Sequence, residues 1–386
     1  MTPLPIRRLQ RLLLALPSIR MGGTERHTAW LARGIAARTG MEVTIAAEPA
    51  LHAALAPLAG ADVALRPAAI GWETPEPSAA RAARQAQAMR ALLGEARPDA
   101  VILPMPWPDQ GHGLLPVLAE AALPRLVLFH LAGEAPIPPA SAPLGLDHAM
   151  LAAVSAPIAR RAARAIGVPR NLIALLANPA PPPPTMDRAI ARAAIRGALG
   201  LPHDAPLLLF AGRLEEAKGA EWLPGIAARL QVPLAVAGDG PLRELLQTHA
   251  AMDRLGKLRV LGPLADPSPW FLAADALLMP SRIEGVPLVF LEAAAHRCPV
   301  IATVAAVEGL GALASRLVRL APTADEAGMA AAASALLAAP EAARPMIEAA
   351  AAHAARQRPE ASLDAALGLL RAAVLRAGCP RGAIAA

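Results

Sequence analysis

Residues 276–293 read Ala-Leu-Leu-Met-Pro-Ser-Arg-Ile-Glu-Gly-Val-Pro-Leu-Val-Phe-Leu-Glu-Ala. The apolar run Ala276–Met279, closed by Pro280, has the pattern of a short buried strand. A polar loop follows, and Pro287 then leads into an apolar run suited to a helix. Proline is tolerated in the first helical turn, where its missing N–H has no intrahelical partner to lose. The stretch therefore reads as strand, loop, helix N-terminus. Free amides at such a helix start favour anions. Glu284 falls in the loop and Glu292 about one and a half turns inside the helix. Two carboxylates flanking that start can grip the hydroxyls of a ligand whose phosphates sit nearby. They are equally compatible with a solvated helix carrying two surface acids.

The same pattern recurs on both sides. Leu207–Phe210 reads as a strand, followed by Ala211-Gly212-Arg213-Leu214-Glu215-Glu216-Ala217-Lys218-Gly219 and a helix over about 220–230. Val232–Val236 is the next strand and ends in Gly238-Asp239-Gly240-Pro241; Leu258–Leu261 and Val300–Ala302 continue the series. A helix over about 187–199 precedes this set, and 324–375 is helical and alanine-rich. Arg213 and Lys218 stand five apart in one loop after a strand. Such a pair can converge on a diphosphate, arginine as a fork and lysine as a mobile point charge, or can be two solvated loop charges. No D-x-D pair occurs, and no His and acid cluster has metal spacing. Protein cations rather than a divalent metal would then neutralise the phosphates, so no metal and no cofactor is expected.

The first half opens in the same way. Leu12–Leu16 is a short apolar run, then comes a loop with Gly22 and Gly23, and Thr24 can cap a helix through Ala37. With Val43–Ala46 this makes a strand–glycine loop–helix–strand unit, the opening of a doubly wound parallel sheet. The glycines let backbone approach a ligand, or simply make a tight turn. The dinucleotide fingerprint G-x-G-x-x-G is absent here. Further strands are expected at Val63–Leu65, Ala100–Leu103, Leu126–Phe129, Met150–Val154 and Leu172–Leu176, with helices at about 78–96, 110–122 and 155–167. His130 directly follows one of these strands, where ligands gather in open α/β sheets; it can be a base, a hydrogen-bond partner or a loop residue. His112, between two glycines, is a weaker candidate on the same grounds. The proline-rich loop 134–143 suits a lid or an acceptor loop. Loops 48–60, 66–78 and 131–148 carry little readable chemistry.

The run 179–184, Pro-Ala-Pro-Pro-Pro-Pro, is stiff and extended and is the best boundary in the chain. With 386 residues the chain suits two domains. The expected division is 1–178, a linker 179–186, 187–360, and a C-terminal helix and tail, 361–386, that packs back on the first domain. Hydrophobic residues make up 55% and charged residues 18%, enough apolar material for two cores and against disorder. The alanine excess, the 41 prolines and the lack of tyrosine read as the bias of a high-GC genome. The net charge of +6 is uneven: 17 basic against 12 acidic residues in 1–186, but 20 against 19 in 187–386. A basic first half can steer anionic substrates or make peripheral contact with an anionic membrane. Nucleic acid is disfavoured, because no dense basic block and few aromatics are present. Cys298 and Cys379 form no disulfide or zinc pattern. No run reaches transmembrane length, and Leu12–Leu16 is too short for a signal peptide, so a cytoplasmic location is expected.

The ordered set Gly22-Gly23-x-Glu25-Arg26, Asn178-Pro179, Gly212-Arg213-Leu214-x-x-x-Lys218-Gly219, Gly238-Asp239-Gly240-Pro241 and Ser281-x-x-Glu284-Gly285-x-Pro287-x-x-x-x-Glu292-Ala293 resembles the group 1 retaining glycosyltransferases, family 4. The resemblance covers about residues 12–310. It implies a GT-B fold, two Rossmann-like domains facing an interdomain cleft, the first for the acceptor and the second for a nucleotide-diphosphate sugar. It further implies that Arg213 and Lys218 hold the diphosphate, with Gly212 and Gly238 in the donor-binding loops. Glu292 would bind the ribose, and Glu284 with the amides of Gly285, Val286, Pro287 and Leu288 would take the donor sugar (proline contributes position rather than an N–H). Gly22 and Gly23 would close on the phosphates, and His130 would be the active-site histidine. The implied partners are a nucleotide sugar and a glycan or glycolipid acceptor of the cell envelope. The sequence departs from the family after Ile301-Ala302-Thr303, where Val304-Ala305-Ala306 replaces an acid and a glycine pair and the acid comes later, at Glu308; His296-Arg297-Cys298 replaces small residues. Other classes stay open: a GT-B sugar-nucleotide epimerase, or a non-catalytic sugar-nucleotide-binding protein. A Rossmann dehydrogenase is disfavoured by the missing fingerprint.

Overall fold

Apolar runs of three to six residues, bounded by turns and separated by helices, are too short to pack as helices and bury as parallel strands. The structure, a computed structural model, describes residues 9–72, 75–135, 137, 143–146 and 149–378. It divides the chain into two units: residues 1–177 with 360–386, and residues 178–359.

The first unit contains strands β1 Arg11–Ala15, β2 Glu42–Ala47, β3 Val63–Pro67, β4 Ala100–Met105, β5 Arg125–Phe129, β6 Ala149–Ala153 and β7 Ile173–Leu175. They form one sheet in the order β3-β2-β1-β4-β5-β6-β7, and all neighbours run parallel. The chain steps outward from β1 to β3, then returns to place β4 on the other side of β1. Ligands bind outside the carboxyl ends of strands at such a reversal. Helices α1 Gly23–Thr39, α2 His52–Ala59, α3 Ser78–Ala96, α4 Leu114–Glu120 and α5 Ala156–Ile166 belong to this unit.

The second unit contains helices α6 Arg188–Ala198, α7 Leu223–Arg229, α8 Arg243–Met252, α9 Ser268–Ala273, α10 Leu288–Ala295, α11 Ala314–Leu317, α12 Glu326–Ala338 and α13 Arg344–Arg356. Its strands are β8 Leu208–Ala211, β9 Leu234–Ala237, β10 Leu258–Gly262, β11 Ala276–Met279, β12 Val300–Thr303 and β13 Arg319–Ala321. The sheet order is β10-β9-β8-β11-β12-β13, again all parallel, and its reversal lies between β8 and β11. Alternate strand residues feed two apolar layers. Leu209, Leu277 and Met279 meet Phe271 and Phe290; Leu208, Phe210 and Leu278 meet Leu223, Ile226 and Met329. Burial on both faces explains why these strands read as continuous apolar runs. At the opposite end of β8 and β11, Arg196 is fully buried and donates to Ala205 O, Ala273 O and Asp275 Oδ2, while Asp275 also accepts from Leu207 N. Breaking such a buried pair leaves an uncompensated charge, so it fixes the two strands from below.

The proline run after Asn178 has no helix or strand; Ala180 is buried in the second unit, and its amide donates to Gln357 O at 2.8 Å. A final helix, α14 Pro359–Gly378, packs Leu363, Leu367 and Leu370 into the core of the first unit. Gly34 leaves room for it: a Cβ there would lie 3.3 Å from Leu363 Cδ2. Ser362 Oγ donates to Ala177 O at 2.8 Å, and Arg38 pairs with Asp364 at 2.7 Å.

Several expectations change. Thr24 is not the cap of α1. Gly22 takes that position in an extended conformation with no side-chain cap, its carbonyl accepts from Arg26 N, and the helix runs on to Thr39. The helix expected at 110–122 is confined to Leu114–Glu120 after a turn. The segment 48–60 contains helix α2 rather than open loop. Pro287 stands at the N-cap of α10, one position before the first helical turn. Part of the proline-rich loop 134–143, and Cys379, lie outside the described residues. No helix among the described residues is long and apolar enough to cross a membrane.

Candidate active site

The candidate residues of the second unit lie on the loops after β8, β9 and β11, three adjacent strands around the sheet reversal, and at the start of α10. Backbone contacts hold these loops together. Arg282 N donates to Ala217 O, Gly212 N to Ala237 O, Leu214 N to Asp239 O and Leu242 N to Leu214 O. Glycine is required at the closest approaches. Gly219 has φ +67°, and a Cβ there would run into Pro280 O; Gly238 has φ +143°, and a Cβ would run into Gly212 O. Positive φ and a facing carbonyl both exclude larger residues.

This packing brings Lys218 and Glu284 together. Lys218 Nζ lies 2.6 Å from Glu284 Oε1, and Ser281 Oγ donates to the same oxygen at 2.9 Å. Glu284 and Ser281 are buried and Lys218 is half-buried. Thr303, at the end of β12, donates to Ser281 O at 2.5 Å and accepts from Ala306 N at 3.1 Å. Arg213 is on the same loop as Lys218 but pairs with Glu215, at 2.9 Å. The two cations thus occupy different carboxylates. Gly285 is buried, and Val286 O accepts from Asn178 Nδ2 at 2.8 Å. Gly309 packs so tightly on this turn that a Cβ would meet Gly285 O. Leu288 opens α10, whose start has no side-chain cap, and Glu292 is half-buried at the beginning of its second turn. No group of three or more His, Cys, Asp or Glu suited to a metal ion occurs among the described residues.

Gly22, Gly23 and His130 belong to the first unit. The glycine pair ends the loop after β1 and starts α1, and His130 follows β5 with its amide bonded to Met105 O. His130 is buried, and burial pushes its imidazole well below the ordinary histidine pKa. His27, on α1, meets it edge-on with ring centroids 5.0 Å apart. Its pKa is lowered by burial to about 4. The two nitrogens of His27 and Nε2 of His130 have no hydrogen-bond partner among the described residues. Both rings are therefore neutral at pH 7. Ser18, on the loop after β1, donates to the buried Glu25. His112 packs against Trp72 at 5.6 Å; its pKa is lowered by burial and partly restored by Asp109.

Sequence reasoning missed Thr303 and His27 and gave Ser281, although part of the quoted motif, no role of its own. Ser281 stood in the opening stretch three residues before Glu284, a spacing that lets a loop hydroxyl reach the carboxylate. His27 shares the i, i+4, i+8 face of α1 with Leu31 and Ile35, so the helical period places it inward. Nothing in the local sequence marks Thr303.

Residues 205–339 match the family model described as "Glycosyl transferases group 1". The second unit carries a group 1 glycosyltransferase domain. D-inositol 3-phosphate glycosyltransferase 1 of Catenulispora acidiphila is 40% identical over 136 residues, 30% of this chain and 31% of that protein. The putative teichuronic acid biosynthesis glycosyltransferase TuaC of Bacillus subtilis is 39% identical over 113 residues, 28% of this chain and 27% of that protein. The chain thus matches about a third of the length of these curated relatives. The fold extends further: Anabaena HepE, solved in complex with UDP, superposes with a TM-score of 0.71 at 17% identity, over 94% of this chain and all of that one. Both units therefore have the GT-B architecture of two Rossmann-like parallel sheets, and the group 1 resemblance read from the motifs is borne out.

Proposed function

We propose that the protein is a retaining, metal-independent glycosyltransferase. It moves a sugar from a nucleotide-diphosphate sugar to a glycolipid or polysaccharide acceptor of the cell envelope. The observation that carries this reading is the Lys218–Glu284 pair at the sheet reversal of a group 1 domain, with Lys218 on one loop with Arg213. HepE, with the same fold, was solved in complex with UDP and with UDP-glucose, and TuaC is named for teichuronic acid biosynthesis.

Breaking a glycosyl–phosphate bond builds negative charge on the departing diphosphate and positive charge on the ring. Arg213, Lys218 and the uncapped start of α10 stabilise the first, without a metal. Glu284 binds the donor sugar and Glu292 the ribose. Glu284 Oε1 is occupied by Lys218 and Ser281, the setting of a binding carboxylate. The acceptor hydroxyl then attacks from the face the diphosphate leaves, its proton passes to the leaving phosphate oxygen, and configuration is retained without a two-carboxylate glycosidase scheme. The first unit, with Gly22, Gly23 and His130, serves the acceptor side. Its excess of basic residues supports peripheral attraction to an anionic membrane from the cytoplasm.

A thermal-shift screen against sugar nucleotides tests donor binding, because a ligand of the native state raises Tm. Release of nucleoside diphosphate in the presence of acceptor then tests transfer. Arg213→Ala and Lys218→Ala should each lower turnover by about 100-fold or more; undiminished turnover overturns the reading. Donor binding without turnover indicates a binding protein, and an altered sugar nucleotide without acceptor indicates an epimerase.

A further inference from the structure

Glu284 is not held by Lys218 alone. Both of its contacts fall on Oε1, one from the ammonium and one from the Ser281 hydroxyl, and Oε2 makes no hydrogen bond to any described residue. Ser281 is itself immobilised: it is buried, and Thr303 grips its carbonyl from β12. The carboxylate is therefore fixed in rotation by two donors on one oxygen, and the other oxygen is the acceptor left for a ligand hydroxyl. Lys218 has a second property. The chain has 37 basic residues, and Lys218 and Lys257 are its only lysines. Lys257 caps a carbonyl, that of Leu230. An ammonium has three donors on a single atom, so Lys218 can keep Glu284 and still offer N–H groups to phosphate oxygens. Arginine's planar fork would spread those contacts over separate atoms.

We propose that Ser281 is a positioning residue for donor recognition: it locks Glu284 Oε1 beside Lys218, so that Oε2 meets the donor sugar while the ammonium meets the diphosphate. Sugar and diphosphate are thereby recognised through one hydrogen-bonded unit. This rests on the donor assignment under the proposed function, and it names a residue and a coupling which that assignment does not contain.

Calorimetric titration of the full chain with UDP-glucose and UDP, and with GDP-mannose and GDP, tests it. The readout is the affinity ratio of sugar nucleotide to bare nucleoside diphosphate. Ser281→Ala removes one buried hydroxyl and little volume. It should weaken the sugar nucleotide by about tenfold, as expected for loss of a hydrogen bond to a charged group. The diphosphate should stay within about twofold. Ser281→Thr, which keeps the hydroxyl, should recover most of the ratio. An equal loss for both ligands, or no change in the ratio, overturns the positioning role. If the unaltered protein binds none of the four probes, the donor assignment fails together with the proposal; if it binds them and only the Ser281→Ala ratio is unmoved, the proposal alone fails.

Discussion

The two units share one sheet architecture but differ in how the candidate groups of each are held. At the reversal of the second sheet the candidate groups are charged and paired: Lys218 with Glu284, Arg213 with Glu215. In the first unit the candidate groups are neutral, with His27 and His130 buried ring to ring and three of their nitrogens without partners among the described residues. Burial explains the difference. A charge taken out of water must be paired, whereas an imidazole can shed its proton and remain. The candidate groups of the second unit are therefore ion pairs, and the candidate rings of the first are buried and neutral.

The sharpest way to break this comparison is through the glycines that bring the charged loops together. Gly238→Ala faces both a φ of +143° and the Gly212 carbonyl, so strain and overpacking add to about 3–4 kcal/mol lost from the second unit. Gly40 in the first unit is the matched control. It has φ +67° but nothing within 4 Å of the place a Cβ would take, so Gly40→Ala should cost only about 1 kcal/mol. Denaturant midpoints of the two variants check the contrast; equal losses would mean that close approach of the loops carries no weight.

The neutral histidines give the next largest effect, and it depends on pH. His27 has a folded pKa near 4 against an ordinary 6.5. Above pH 6.5 both folded and unfolded states are neutral and the full stability is present. As pH falls from 6.5 towards 4 the unfolded chain takes up a proton that the fold refuses, so stability declines, by on the order of 3 kcal/mol in total. His130 shifts in the same direction and adds to it. Denaturant unfolding followed between pH 7 and 4 should show this decline, and His27→Leu should reduce it to the His130 contribution. A flat profile in the unaltered protein would place the protons elsewhere.

How much of this was readable follows from the same contrast. The second unit's candidates Arg213, Lys218, Glu284 and Glu292 sit in two continuous stretches whose strand–loop–helix pattern survives in local sequence. Strand positions were legible because burial on both faces leaves unbroken apolar runs. The Lys218–Glu284 contact was not, because the loops after β8 and β11 meet only once the sheet has reversed its order. The first unit was less legible for a related reason. His27 and His130 lie on different elements and meet only through packing, so neither carries a local signature of the pair. The Thr24 cap is not borne out because an extended Gly22 starts α1 two residues earlier than a Thr24 side-chain cap would. The departure at Val304-Ala305-Ala306 was visible, but not that Gly309 would pack on Gly285.

The smallest effect concerns how the first unit is completed. It is built from two chain segments, whereas the second is continuous. Helix α14 closes it with Leu363, Leu367 and Leu370 inside and with the Arg38–Asp364 pair at the surface, where the side chains are 47% and 56% exposed. An exposed pair gains little Coulomb energy in water and spends side-chain entropy, so its coupling should be below about 1 kcal/mol and should shrink with salt. Leu367→Ala removes buried apolar surface and leaves a cavity, which costs about 2–5 kcal/mol. A double-mutant cycle of Arg38→Ala with Asp364→Ala, set beside Leu367→Ala, separates the two contributions. If the pair's coupling rivals the leucine, charge rather than apolar packing fastens the returning helix, and the first unit would resemble the second in depending on paired charges.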